Sequence, residues 1–144
     1  MKFFCDTSVL VAGCVRRHPH FNRAHPLLEA ASAGKDACFI SAHSVAEFFA
    51  VLTKLPVSPR INPVEARLIL ENNVLKHFKL IDLTPEIYAK AVSACVNYGM
   101  QGGAVYDALL LECARVSGTD RIYTFNLREF QRLAPDLVDR LCAP

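Results

Sequence analysis

Four short apolar runs are separated by pairs of segments with helical periodicity, and that alternation restricts the chain to few folds. The runs are Lys2–Cys5, Ala37–Ile40, Phe78–Leu83 and Arg121–Thr124. The first gap holds Val9–Val15, where Thr7 or Ser8 is the expected cap. It also holds a second helix, capped by Asn22, with Ala24, Leu27, Leu28 and Ala31 at helical spacing. The second gap predicts a helix from Ser41 to about Lys54. Another starts at Asn62-Pro63, with Ala66, Ile69, Leu70 and Val74 on one face. The third predicts a helix opened by Thr84-Pro85, with Tyr88, Ala91, Val92 and Cys95 inward, then Ala104–Val116 ended by Gly118. After Asn126 the signals weaken to short helix and loop, with Leu137-Val138 as a candidate edge strand. Short strands alternating with helices predict a mostly parallel sheet of four or five strands, covered on both faces: a three-layer α/β/α fold.

The length of 144 residues fits one domain spanning the whole chain, 1–144. With 52% hydrophobic and 21% charged residues, the chain can bury a core and is not of the disordered class. A net charge of +2 does not by itself announce a nucleic-acid binder. The basic residues are unevenly spread: Arg16, Arg17, Arg23 and Lys35 face only Glu29 in that stretch. Six cysteines without any C-x-x-C pair exclude a zinc ribbon or a thioredoxin-type motif. They predict reduced, buried thiols and a cytoplasmic protein. Asp6 stops the N-terminal apolar run short of a signal-peptide core, and no run is long enough to span a membrane.

Three acids interrupt apolar neighbourhoods. Asp6 follows the first run; Glu47 sits in Ser44-Val-Ala-Glu-Phe-Phe-Ala; Asp107 sits in Ala104-Val-Tyr-Asp-Ala-Leu-Leu-Leu. A buried carboxylate is costly unless paired, hydrogen-bonded or bound to a metal. In open α/β sheets, ligands bind beyond the carboxyl ends of the strands. Asp6 directly follows strand one, and Asn126 lies just past strand four. Glu47 lies early on the helix after strand two, and Asp107 early on the helix entering strand four. The topology therefore gathers Asp6, Glu47 and Asp107 in one crevice, with Asn126 on its rim. Clustered carboxylates repel unless a cation neutralises them, and an oxygen-only donor set suits Mg²⁺ or Mn²⁺. The alternative roles are a helix cap for Asp6, a basic partner for Glu47 and a turn or cap for Asn126. Thr7 and Ser8 are expected to cap or to orient Asp6, and His43 to lie on a surface helix face. Arg16, Arg17 and His18 follow the first helix near the mouth of that crevice and fit either phosphate contacts or a solvated turn. Phe39, Phe48, Phe49 and Phe78 read as core or dimer contacts.

Four segments carry a resemblance: Cys5-Asp6-Thr7-Ser8, Ser41–Glu47, Tyr106-Asp107-Ala-Leu-Leu, and Tyr123-Thr124-Phe-Asn126-Leu-Arg-Glu-Phe130. In order and spacing they resemble the motifs of PIN-domain ribonucleases, especially the VapC-type toxins of toxin–antitoxin pairs. The resemblance implies a Mg²⁺- or Mn²⁺-dependent endoribonuclease that hydrolyses RNA phosphodiesters with a metal-activated water. Asp6, Glu47 and Asp107 would hold the metal, Asn126 would complete the catalytic set, and Thr124 would support it. It also implies a homodimer and a small cognate antitoxin, which would lie along the apolar helices from Val45 to Leu70 and present an arginine to the acidic pocket. One departure stands out. Many relatives carry aspartate where this chain has Asn126, which removes a charge and disfavours a second tightly held ion. The rival readings are a structure-specific or RNA-processing nuclease without a toxin role, and a weakened PIN-like binding module. A receiver domain would need a lysine after a late strand, and Thr124 is followed by none.

Overall fold

A computed structural model describes residues 1–144. Five strands form one wholly parallel sheet: β1 (Lys2–Cys5), β2 (Ala37–Ser41), β3 (Lys79–Ile81), β4 (Arg121–Tyr123) and β5 (Leu141–Cys142), in the order β3-β2-β1-β4-β5. The helices are α1 (Thr7–Cys14), α2 (Phe21–Ser32), α3 (His43–Lys54), α4 (Pro63–Leu70), α5 (Pro85–Asn97), α6 (Ala104–Ser117) and α7 (Leu127–Leu133). A π-helical turn, Glu71–Leu75, extends α4, and a 3₁₀ segment, Pro135–Arg140, leads into β5.

Alternation along the strands divides the interior into two cores. Phe3 and Cys5 of β1 face one side, and Phe4 the other. The first core lies under α1–α4 and includes Val9, Leu10, Leu28, Phe48, Leu52, Ala66 and Val74. The second lies under α5–α7 and includes Ile87, Leu110, Leu111, Phe130 and Leu137. A strand buried on both faces reads as a continuous apolar run, which is why Lys2–Cys5 and Ala37–Ser41 do so.

Local signals place the helix ends. Asn62 and Glu65 form a reciprocal capping box at α4, with Pro63 at the first helical position. Thr84 accepts from the Ile87 amide to start α5. Gly118, at φ +61°, ends α6 in the left-handed conformation.

Some expectations fail. Leu137-Val138 is not a strand; the edge strand is Leu141–Cys142, and only its pairing with β4 makes it one. Asp6, not Thr7 or Ser8, caps α1, and Asn22 lies inside α2. On α5 the buried face carries Ile87 and Ala91, whereas Tyr88 and Val92 are exposed. Phe48 and Phe78 are core, while Phe49 is partly exposed.

Helices α1 and α2 meet at Gly13. A β-carbon there would lie 2.5 Å from Leu28 Cδ1 and 3.2 Å from the Ala24 carbonyl oxygen. The leucine tip can swing away, but the helical carbonyl cannot. Gly13→Val is therefore expected to lower unfolding stability by about 2 kcal/mol through overpacking. Gly103→Ala, where a β-carbon meets nothing within 4 Å, is the control and should be neutral or mildly stabilising. Thermal melts followed by circular dichroism decide it; equal melting of Gly13→Val and the parent would show that the contact yields freely.

Candidate active site

The connection order reverses between β1 and β4: the chain runs outward from β1 to β2 and β3, then returns to β4 and β5. The crevice opens beyond the carboxyl ends of these two strands, where open α/β sheets bind ligands. Asp6 leaves β1 there, its amide donating to the Tyr123 carbonyl at 3.0 Å. Its side chain accepts from the Ser8 amide, which caps α1, and from the Thr124 hydroxyl across the crevice. Thr124 Oγ1 also accepts from the Asn126 amide at 2.9 Å. Asn126 Nδ2 donates to Asp107 Oδ2 at 2.9 Å. A continuous hydrogen-bonded path thus joins Asp6 on β1, the β4 turn and Asp107 on α6.

Glu47 enters from α3. The Thr7 hydroxyl donates to Glu47 Oε2 at 3.2 Å and lies 3.1 Å from Ser44 Oγ, which is buried. His43 Nε2, one turn earlier on α3, is 3.8 Å from Glu47 Oε2. Serial positions 43 and 47 share a helix face, so this pairing follows from spacing alone.

The electrostatics follow from burial. Asp6 is 4% exposed; desolvation raises its proton affinity, partly offset by the bonds from Thr124 and Ser8. Glu47 is also raised, first by desolvation, against the Thr7 bond and His43, with Asp6 adding repulsion. Asp107 is pushed up from 3.8 to about 6 by desolvation and then by the charges of Asp6, Glu47 and Glu129, with the Asn126 bond opposing. Glu47 feels the charge of Asp6, and Asp107 feels both, so the three lie within reach of one another's field.

They do not form a tight cage. No three His, Cys, Asp or Glu side chains cluster closely enough to ligate one ion together. The topology gathers the three acids at one end of the sheet, on α3, on α6 and directly after β1. The donor set still fits a hard divalent cation. It is oxygen-only, its charged forms repel, and Mg²⁺ commonly takes one or two carboxylates and keeps its remaining waters. Asp6 and Asp107, joined through Thr124 and Asn126, could hold such an ion, and Glu47 lies on the facing helix α3.

Ser8 borders this centre, its hydroxyl accepting from the Phe125 amide at 3.4 Å. Arg16 and Arg17 do not join it. Arg17 donates to the Ser58 and Pro59 carbonyls, and both arginines line a separate cavity of about 450 Å³ with Ile61, Glu65, Leu68 and Ile69. His18, which the sequence placed near the site mouth, does border the centre, as do residues that it did not single out. His18, His20 and Phe125 line a cavity of about 340 Å³ with Thr7, Ser8 and Glu47. Tyr106 and Gly103 line another of about 450 Å³ with His43, Glu47 and Asp107. Tyr106 and Phe125 were legible only as neighbours of Asp107 and Asn126. His18 was marked by its place after α1 at the site mouth, whereas nothing local in the sequence marked His20.

The titration of Asp107 has a stability consequence. Its carboxyl keeps a proton up to about pH 6 when folded, but only to about 4 when unfolded. Between those values the folded chain binds more protons than the unfolded one, so stability falls as pH rises through that window. In EDTA, the protein should melt higher at pH 5 than at pH 7. Asp107→Asn should recover about 1 kcal/mol at pH 7, allowing for the partial exposure of the group, or roughly 3 °C, and flatten the pH dependence. An unchanged slope in that variant would assign the proton to another group.

A model of the PIN domain matches residues 3–135. Ribonuclease VapC40 of Mycobacterium tuberculosis is 32% identical over 123 residues, 85% of each chain. Ribonuclease VapC27 of the same organism is 33% identical over 105 residues, 73% of this chain and 71% of its own. Two crystal structures share the fold. VapBC2 from Rickettsia felis, bound to a promoter DNA fragment, aligns with all of this chain and 99% of its own at 20% identity and a TM-score of 0.69. Mycobacterium tuberculosis VapC20, a sarcin–ricin loop cleaving toxin, aligns over 88% and 92% at 17% identity and a TM-score of 0.70.

Proposed function

Because this chain belongs to the PIN-domain family, we propose that it is an endoribonuclease, dependent on Mg²⁺ or Mn²⁺, and the toxin of a toxin–antitoxin pair. The observation that carries the reading is the set of three mutually repelling acids at the reversal of the sheet, two of them joined by a polar path. The sequence likeness to two ribonucleases supports the same reaction.

Asp6 and Asp107 would hold the cation, with Glu47 nearby and Asn126 fixing the Asp107 carboxylate. A divalent ion bound there supplies charge stabilisation at a phosphoryl oxygen and acidifies water for attack. The chain's own contribution is orientation. The Ser8 amide and Thr124 hydroxyl fix the Asp6 carboxylate, and the Thr7 hydroxyl fixes Glu47. Glu47, whose proton affinity is raised, is positioned at the cavity surface to accept a proton.

The partner would be a small antitoxin. The helices from Val45 to Leu70 expose Phe49, Val51, Val64 and Leu68, an apolar surface of the kind partners cover. An arginine from that partner would pair with the acidic centre and oppose the metal. An apolar stripe on α5, Tyr88, Val92 and Val96, would be covered in a homodimer. No helix is long and apolar enough to cross a membrane, and all six cysteines are free, which supports a cytoplasmic site of action.

The purified protein is expected to cleave RNA internally in Mg²⁺ or Mn²⁺. Asp6→Asn and Asp107→Asn should each lower the rate by roughly 10²-fold or more, as when a charge-stabilising group is lost. Their melting temperatures in EDTA should hold or rise. Full cleavage by either variant would remove that residue from the reaction. Expression should arrest bacterial growth, and the neighbouring small reading frame should relieve it; normal growth with intact cleavage would argue for RNA processing without a toxin role.

Asn126→Asp tests the amide separately. It would set a second carboxylate against Asp107 Oδ2, where Nδ2 now donates at 2.9 Å. The metal-free variant should melt lower than the parent, and Mn²⁺ should raise its melting temperature more. Equal Mn²⁺ responses would place Asn126 outside the reach of the ion.

A further inference from the structure

Glu47 is a wall shared by two cavities. On the α6 side, His43, Ala46, Ala50, Gly103, Tyr106 and Asp107 complete a space of about 450 Å³. On the α1 side, the space of about 340 Å³ holds His18, His20 and Phe125. Each cavity is edged by an aromatic pair. His43 and Tyr106 lie nearly parallel, 6° apart, with centroids separated by 5.5 Å. His20 and Phe125 stack at 4.8 Å and 22°, and the Arg23 guanidinium lies over the Phe125 ring at 5.3 Å.

Tyr106 and His20 are not there to fill a core, while Phe125 packs, partly buried, against the first one. Tyr106 is 52% exposed, and His20 is exposed. They are nevertheless fixed relative to the acidic centre. Tyr106 directly precedes Asp107 on α6, Phe125 directly precedes Asn126, and His43 is held beside Glu47. A ring that moves with a site residue can define where a substrate group lies relative to the reacting bond. Flat, half-exposed rings beside a polar centre suit nucleobases, which stack on aromatic side chains and on arginine when a strand is unpaired. A duplex keeps its bases stacked on one another and cannot offer faces to two separate cavities.

We propose that a single RNA strand crosses the acidic centre over Glu47, with its two flanking bases splayed apart. One base lies on Tyr106 in the α3–α6 cavity. The base on the other side of the scissile phosphate lies on the His20–Phe125 pair. The two aromatic pairs therefore set base preference at the two positions that flank the cut. This rests on the ribonuclease reading above.

The test pairs protein variants with abasic RNA. Cleavage of a short single-stranded RNA in Mn²⁺ first locates the cut. Tyr106→Ala and His20→Ala should each raise KM, with kcat less affected, and lower kcat/KM by roughly 5- to 100-fold. An abasic nucleotide on one side of the cut should abolish the effect of Tyr106→Ala only; on the other side, that of His20→Ala only. Tyr106→Phe, which keeps the ring, should lose far less kcat/KM than the alanine variant, and Tyr106→Leu, which retains bulk without a ring, should behave as the alanine variant. That comparison serves even if Tyr106→Ala folds poorly. Losses that simply add to those of the abasic substitutions, or equal cleavage of duplex and single strand, would overturn the inference while leaving the nuclease reading intact. Failure of the parent protein to cleave any RNA would overturn both.

Discussion

The bond from Thr124 to Asp6 ties the two central strands together at the point where the order of strand addition reverses. Everything polar in the crevice is arranged around it. Asp6 is nearly inaccessible, and a bare carboxylate at such depth would be far too costly to keep charged. Two donors meet it: the Ser8 amide at the start of α1, and the Thr124 hydroxyl. The first makes the acid a helix cap, and the second makes it a cross-strand clamp. The cap and metal-ligand roles weighed for Asp6 do not compete, because Oδ1 serves α1 while Oδ2 turns toward β4 and the site.

That anchoring radiates outward with falling burial. Thr124 is fully buried, whereas Asn126, Asp107 and Glu47 are half-exposed. The gradient explains why proton affinity is raised at all three acids while only the outer two open onto cavities. A fold that placed three charges so near one another without a ligand would be expected to lose stability. Here the loss is limited because every buried side-chain polar atom finds a partner.

The sheet, its helices and the three acids were legible in the sequence because each rests on a local signal. Strands buried on both faces give continuous apolar runs, caps give Asn62 and Thr84, and an acid inside an apolar run stands out against its neighbours. The sequence was silent where an element exists only through a distant partner. Leu141–Cys142 is a strand because β4 is beside it, and no pattern over two residues can announce that. The inward face of α5 was misread because Tyr88 and Val92 are apolar and correctly spaced, yet the neighbouring helix covers Ile87 and Ala91 instead. The aromatic pairs were invisible for the same reason. His43 and Tyr106 lie on different helices, and His20 meets Phe125 across the α1–β4 crevice. The separation of the acids is also a tertiary quantity: sequence order brings them to one end of the sheet, but helix packing decides how far apart they stand.

Asn126 shows how one neutral residue adjusts such a site. Asp107 is an acceptor when ionised, so the amide must present its nitrogen, and the bond opposes the rise in Asp107 proton affinity. A carboxylate at the same place would repel Asp107 and add to the charges of Asp6, Glu47 and Glu129. It would also attract a cation more strongly. The amide therefore spares Asp107 that repulsion, and a cation held there would be bound less strongly than by a carboxylate at the same place. The same side chain fixes the orientation of Asp107, and its own backbone amide is held by Thr124. Departure from aspartate at this position thus removes charge without removing geometry, which is why the acidic centre remains organised although it is one carboxylate short.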